Sequence, residues 1–341
     1  MSVPPAGKKL PTLAEIVDFL EQATNLRVIS NWLHENDLPH TVSSWKQLLE
    51  ERLQPAVDAG EISLADLMDH LSKVEEFSAC HVFIYKCQPN TAAELLKREN
   101  IENAAKKLGI EHLLTDPALT TLPASPTISG IRFVEDATGA SLSIKVVETR
   151  KYEERKEEIK RNGVRIVTYT PKKARAVNVV RLSSLGILEV RIRSHSSDDY
   201  DPDIKKTWHE LLPDFFPVAE FKSHPLDKLK AALWEKRAAM TKLYRFSDAK
   251  MRDEFGCTIA AATPKRESDL STISVAAVQS YLDDGAYQES SGMWWNQQKE
   301  GGPTTDIHVW LSGKTNEFTL RASNTKEDFE YVLAQFTRIG F

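Results

Sequence analysis

The sequence predicts an α+β protein in three parts: a small helical bundle over residues 1–77, a basic α/β domain with a central mixed β-sheet over 78–200, and a C-terminal α+β domain over 201–341. Three observations predict it. Up to residue 77, apolar side chains recur at helical spacing behind residues that cap helices. Between Ile128 and Arg193 the period becomes two, in runs rich in Val and Ile. Beyond residue 217 both periods alternate.

The bundle opens on Thr12 with Glu15 three residues later, a capping-box start, followed by Leu13, Ile16, Val17 and Leu20 on one face. A second helix over Leu26–Asn36 aligns Leu26, Ile29, Trp32 and Leu33, and Asp37-Leu-Pro39 ends it. Ser44 with Gln47 begins a third, which Pro55 kinks or divides. Ser63 with Asp66 begins a fourth, carrying Leu64, Leu67, Met68 and Leu71. Tight links between such helices make a small bundle.

The run CHVFIYKC from Cys80 to Cys87 switches to strand character. Thr91–Lys107 reads as one helix, and Leu114–Pro126 as a connector. The strand runs ISGIRFV and SLSIKVVE follow, then a charged insert RKYEERKEEIKR, then VRIVTYT, the loop TPKKARA, AVNVVRL and GILEVRIR. Further on, Pro225–Phe246 predicts a long helix and CTIAAAT a strand, with another helix near Ser274–Leu282. Trp294 and Trp295 fall in a loop, IHVWLS and EFTLRAS form a hairpin around Gly313-Lys-Thr-Asn316, and Asn324 with Glu327 caps a final helix.

Charge is distributed unevenly. Lys145 to Arg193 holds 14 Lys/Arg against 6 Asp/Glu, a balance of +8, so the remainder of this −5 chain carries −13. Several cations on one sheet make a phosphate footprint. The candidate nucleic-acid contacts are Lys145, Arg150, Lys151, Arg165, Lys172, Lys173, Arg175, Arg181, Arg191 and Arg193. Within the charged insert, Glu153, Glu154, Glu157 and Glu158 offer local neutralisation. The TPKKARA stretch has no such neighbours. Trp294 and Trp295 are the candidate partner-docking residues, because adjacent residues on an extended segment cannot both enter one core.

Catalytic signatures are missing. There is no phosphate-cradling glycine loop, no nucleophile elbow and no HExxH spacing among the nine histidines, so no cofactor or metal is expected. Asp199, Asp201, Asp203 and Glu210 fall at calcium-loop positions, but Ile204 replaces the turn glycine. Asp136 with Glu189-Val-Arg191 comes nearest to a metal-nuclease arrangement, with arginine where a lysine handles protons. Three cysteines, odd in number, are too few for a disulfide framework and point to a reducing intracellular compartment, cytoplasmic or nuclear. No apolar run is long enough to cross a membrane.

NWLHENDLPHTV, with Trp32, Leu33, Glu35, Asn36, Leu38 and Val42, followed by EISLADLMDHL from Glu61, resembles the N-terminal region of centromere protein N. The resemblance implies a pyrin-like helical module, then an α/β part with basic strands and a partner-binding C-terminal region. It also implies a nucleoprotein-bound adaptor within a larger assembly. The expected function is thus a non-enzymatic adaptor touching nucleic acid, in the first place DNA, through the basic sheet, with a protein partner or a second copy at the C-terminal region. The alternatives are a metal-dependent nuclease and a purely protein-binding subunit of a prokaryotic defence system.

Overall fold

The structure, a computed structural model, describes residues 11–119, 121–136, 139–161, 164–270, 276–298, 300–322 and 324–340. The N-terminal tail up to residue 10 and the expected helix start at Ser274 lie outside the described residues.

The bundle comprises α1 (Leu13–Ala23), α2 (Leu26–Glu35), α3 (Trp45–Leu48), α4 (Gln54–Asp58) and α5 (Leu64–Glu76). Thr12–Glu15 and Ser63–Asp66 both form complete capping boxes. A π-helical turn at Leu49–Leu53 separates α3 from α4, just ahead of Pro55. Proline has no N–H for the usual helical bond, and a wider turn absorbs the break. Ile16, Leu20, Ile29, Leu33, Leu48, Leu53, Leu67 and Leu71 are fully buried in a core of the bundle's own.

Among the described residues, eleven strands form one sheet. They are β1 (Cys80–Lys86), β2 (Thr127–Asp136), β3 (Gly139–Arg161), β4 (Val164–Ser183), β5 (Ile187–Arg193), β6 (Lys222–Ser223), β7 (Tyr244–Arg252), β8 (Thr258–Ala262), β9 (Tyr287–Trp295), β10 (Ile307–Leu311) and β11 (Glu317–Leu320). Their order is β2-β3-β4-β5-β1-β11-β10-β9-β7-β8, with β6 also on β1. Every described pairing is antiparallel, where a mixed sheet is expected from the sequence. For the pairs of successive strands, β2-β3-β4-β5, β7-β8 and β9-β10-β11, the physical reason is connectivity: a direct link returns the chain antiparallel, whereas parallel neighbours need a crossover. β1 joins two meanders, hydrogen-bonding β5 on one side and β11 on the other, so one sheet runs through the chain on both sides of residue 200.

Two cores sandwich this sheet. On one face Leu188, Val190, Ile192, Ile144 and Val180 meet α6 (Pro89–Leu95), α7 (Arg98–Lys107) and the segment from Tyr200 to Phe221, which holds α8 (Asp201–Ile204) and the buried Trp208. On the other, Val82, Ile84, Phe246, Met293, Trp295, Val309 and Phe318 meet α9 (Asp227–Lys236), α10 (Ala276–Asp283) and α11 (Lys326–Ile339). Helix α11 is capped by Thr325, one residue past the expected Asn324.

Four local expectations are corrected. Thr91–Lys107 is two helices, because Leu96 turns into the core and the Asn100 amide donates to the Glu94 carbonyl at 2.8 Å. The long helix from Pro225 stops at Lys236, and Tyr244 and Phe246 instead alternate into the core as strand β7. The charged insert and the TPKKARA loop are both strand, the continuous arms of β3 and β4. Trp294 and Trp295 lie on a strand as well, so their rings part to opposite faces: Trp295 is fully buried and Trp294 half-buried. Accordingly, Trp295→Ala should lower unfolding free energy by about 3–5 kcal/mol and Trp294→Ala by much less, as read by urea denaturation.

Candidate nucleic-acid interface

Strand register places Arg132 of β2, Lys145 of β3, Arg175 and Arg181 of β4, and Glu189, Arg191 and Arg193 of β5 on one face of the sheet. The bundle and α11 lie on that same face. Glu75, at the end of α5, meets Arg175 and stands 3.5 Å from Lys145, while Glu76 meets Arg132 and stands 3.9 Å from Lys145. The Lys145 amine also donates to Ser72 Oγ at 2.8 Å. Burial pushes this amine down to about 8, against the raising influence of Glu76. Burial likewise lowers Arg175 to about 10, beside the Phe19 ring at 5.2 Å.

Arg193 donates to the carbonyls of Gln22 and Ala23 at 2.6 and 3.2 Å, satisfying the C-terminal end of α1. Arg191 is 2% exposed. It donates to Glu189 at 2.5 Å and to the Glu76 carbonyl at 3.3 Å, with its guanidinium 3.9 Å from the Phe329 ring and 5.3 Å from Phe77. Arg181 pairs with Glu189 at 3.2 Å and Glu330 at 3.8 Å. On the opposite face Arg150 pairs with Glu148 at 2.6 Å and donates to the Arg193 carbonyl. Six of the ten residues read as phosphate contacts, Lys145, Arg150, Arg175, Arg181, Arg191 and Arg193, are therefore committed inside the fold. A cleft of about 610 Å³ between bundle and sheet is lined by Glu75, Glu76, Arg132, Lys145 and Arg175, with apolar side chains such as Met68 and Ile131 beside them.

The other four stand elsewhere. β2 pairs with β3 only up to Val147, and β5 pairs with β4 only from Val179. Beyond those points β3 and β4 pair only with each other, as a two-stranded ribbon. Residues 151–160 are all exposed, as are 164–166, 168–169 and 171–173. At ~3.3 Å per residue the ribbon reaches about 35 Å from its base. It holds Lys151, Arg165, Lys172 and Lys173, and between Lys151 and Lys173 there are eight Lys/Arg against four Glu, a balance of +4.

Ion pairs neutralise part of this charge: Arg165 with Glu158 across the ribbon at 2.7 Å, Lys172 with Glu154 across it at 3.7 Å, and Arg155 with Glu158 along β3. Lys151, Lys156, Lys160 and Lys173 have no ion-pair partner within 4.0 Å among the described residues. Ile159 and Ile166 face each other across the ribbon near its tip, 47% and 49% exposed. Pro171 is tolerated because a two-stranded ribbon has two edges. A bulge between Arg155 and Glu157 adds local twist.

No protein-family model matches this chain, and no curated protein matches it either.

The nuclease arrangement does not assemble. Both Glu189 oxygens are held by arginines. Through the register Glu189 aligns with Arg132 on β2, four residues along the strand from Asp136. The calcium-like segment is helical from Asp201 to Glu210 rather than looped, and Asp203 is taken by His195 at 2.8 Å.

Sequence reasoning missed Glu75 and Glu76, the carboxylates that occupy the basic sheet. One signal for Glu75 was present, since Leu67, Leu71 and Glu75 are spaced four apart and share the buried face of α5. Replacing Glu75 by Ala should cost about 3–5 kcal/mol, because a buried cation loses its counter-charge, whereas Lys173→Glu should stay within about 0.5 kcal/mol. Lys145 titrates at about 8 folded and at its ordinary 10.5 unfolded. In that window the unfolded chain holds the extra proton, so stability contributed by this group rises with pH. A melting-temperature series from pH 8 to pH 10 should show that rise in the native chain and a flatter profile in Lys145→Met.

Proposed function

We propose that the chain is a non-enzymatic adaptor that contacts duplex DNA through the β3–β4 ribbon. One observation carries this reading: a two-stranded ribbon about 35 Å long projects from the sheet, with Lys151, Lys156, Lys160 and Lys173 free of ion pairs among the described residues and an apolar pair near its tip. The major groove of B-DNA admits a two-stranded ribbon. Lysines at the flanks would then meet phosphates on either side, while Ile159 and Ile166 would lie against the apolar parts of the bases.

The resemblance of the bundle to centromere protein N points the same way, toward a nucleoprotein-bound subunit of a larger assembly. Relative to the expectation from sequence, the DNA-facing surface moves from the sheet face to its extension. The sheet face has its charges met by Glu75, Glu76 and Glu189. The enzyme alternative loses support, because its two candidate carboxylates do not converge. No described helix is long and apolar enough to cross a membrane.

Fluorescence anisotropy on labelled duplex DNA across a salt series tests the reading. Binding should fall steeply with salt. Lys151→Glu, Lys172→Glu and Lys173→Glu combined should weaken it tenfold or more across all sequences, and each lysine that meets a phosphate should take roughly one from the salt slope when it is replaced. Arg175 is left intact, since its place in the buried seam would confuse folding with binding. Joining Arg150 to Ala174 by a two-residue Asn-Gly turn removes the ribbon at a registered pair and should abolish binding without lowering the melting temperature. Unchanged affinity in the ribbonless chain, or no binding at low salt, would refute the proposal.

A further inference from the structure

Trp294 takes no part in the ribbon. Its face of the C-terminal half-sheet is the one that α9, α10 and α11 do not pack into, all three being committed to the opposite core. Register lines up Arg245, Trp294 and His308 across β7, β9 and β10, and Trp310 and Thr319 across β10 and β11. Trp294, His308 and Trp310 are half-buried there.

Two arginines lie over the two tryptophans. The Arg266 guanidinium is 4.1 Å from the Trp294 ring centre, and that of Arg321 is 4.9 Å from the Trp310 ring centre. Both arginines are exposed, and neither forms an ion pair within 4.0 Å among the described residues. Arg245 also approaches Trp294, at 5.7 Å, but its charge is met by Asp306 at 2.7 Å. His308 sits between the two pairs, its ring 4.5 Å from that of Trp294. Burial holds the His308 pKa down, and Arg321 and Arg266 add to that effect while Asp248 opposes it, so both guanidiniums bear on the same spot.

We infer that this face of β9, β10 and β11 binds an acidic peptide segment of a protein partner, gripped by Arg266 and Arg321. An arginine resting on an indole is held in place by the ring, and its planar fork of donors then matches a carboxylate in two-point fashion. The tryptophans add rigid apolar area between the forks, the composition that dominates binding energy at interfaces. Nucleobases fit less well, because stacking needs a free ring face. The Trp294 ring already has Arg266 over it and His308 against it. This inference is independent of the DNA reading, since it uses a different face and different residues.

The test uses the full chain and a short fluorescein-labelled poly-glutamate peptide, followed by anisotropy. Arg266→Gln with Arg321→Gln should weaken binding by roughly tenfold or more without moving the melting temperature, since both side chains are exposed. Arg266→Lys with Arg321→Lys keeps the charge but not the fork, and should recover only part of the affinity. Lys151→Glu with Lys173→Glu, on the ribbon, should leave peptide binding unchanged. Equal affinity in the native and Gln forms, loss only in the ribbon variant, or full recovery with Lys would overturn the inference. So would tighter binding of a poly-dT oligonucleotide of matching charge that the Gln variant abolishes, an outcome that would make the face a nucleic-acid platform.

Discussion

The charge seam between α5 and the sheet is the constraint that holds the rest of the fold in place. Lys145, Arg175 and Arg191 stand on a sheet face that is covered, and a buried cation without a counter-charge is costly. Glu75, Glu76 and Glu189 supply those charges, two of them from the bundle and one from the sheet. The bundle therefore has one seat on the sheet, because a shift of a residue along α5 would leave cations and carboxylates unmatched. Arg191 ties three regions together at this point. Its guanidinium reaches the backbone at the end of α5, Glu189 on its own strand, and the ring of Phe329 on α11.

The same basic stretch does two different things, and cover by the rest of the fold decides which. Up to Arg150 on β3 and from Arg175 on β4, the cations lie against the bundle or the opposite core and are neutralised. From Lys151 to Lys173 the two strands continue beyond that cover and their cations face water. A two-stranded ribbon is marginal by itself, so its conformation is anchored by the paired portion of the same two strands. A rigid base and a charged extension thereby come from one hairpin.

On the C-terminal side the division is between the two faces rather than along the strands. Three helices bury the face with Phe246, Met293, Trp295 and Phe318, and that burial fixes which tryptophan of the pair becomes core. Trp294 and Trp310, on the other face, are covered only in part by arginines. The sheet is thus asymmetric about its own plane, and its polar face owes its form to the apolar one.

Much of the local structure was legible in the amino-acid sequence. The capping boxes at Thr12 and Ser63, the strand at Cys80–Lys86, the hairpin of β10 and β11 and the divergence of Trp294 from Trp295 all follow from caps, turns and period, which act between near neighbours. The helix expected through Leu243 failed because Tyr244 and Phe246 gain more as alternating core residues of a strand than as part of a helical stripe. The charged run from Arg150 to Arg161 has no apolar alternation, so only its partner strand reveals it as β-structure. Residue order alone was enough for the class of the fold and for the concentration of positive charge between Lys145 and Arg193. It was not enough to say which of those charges remain available. Glu75 and Glu76 lie between 56 and 100 residues away along the chain from the cations they neutralise, and proximity of that kind is created by folding.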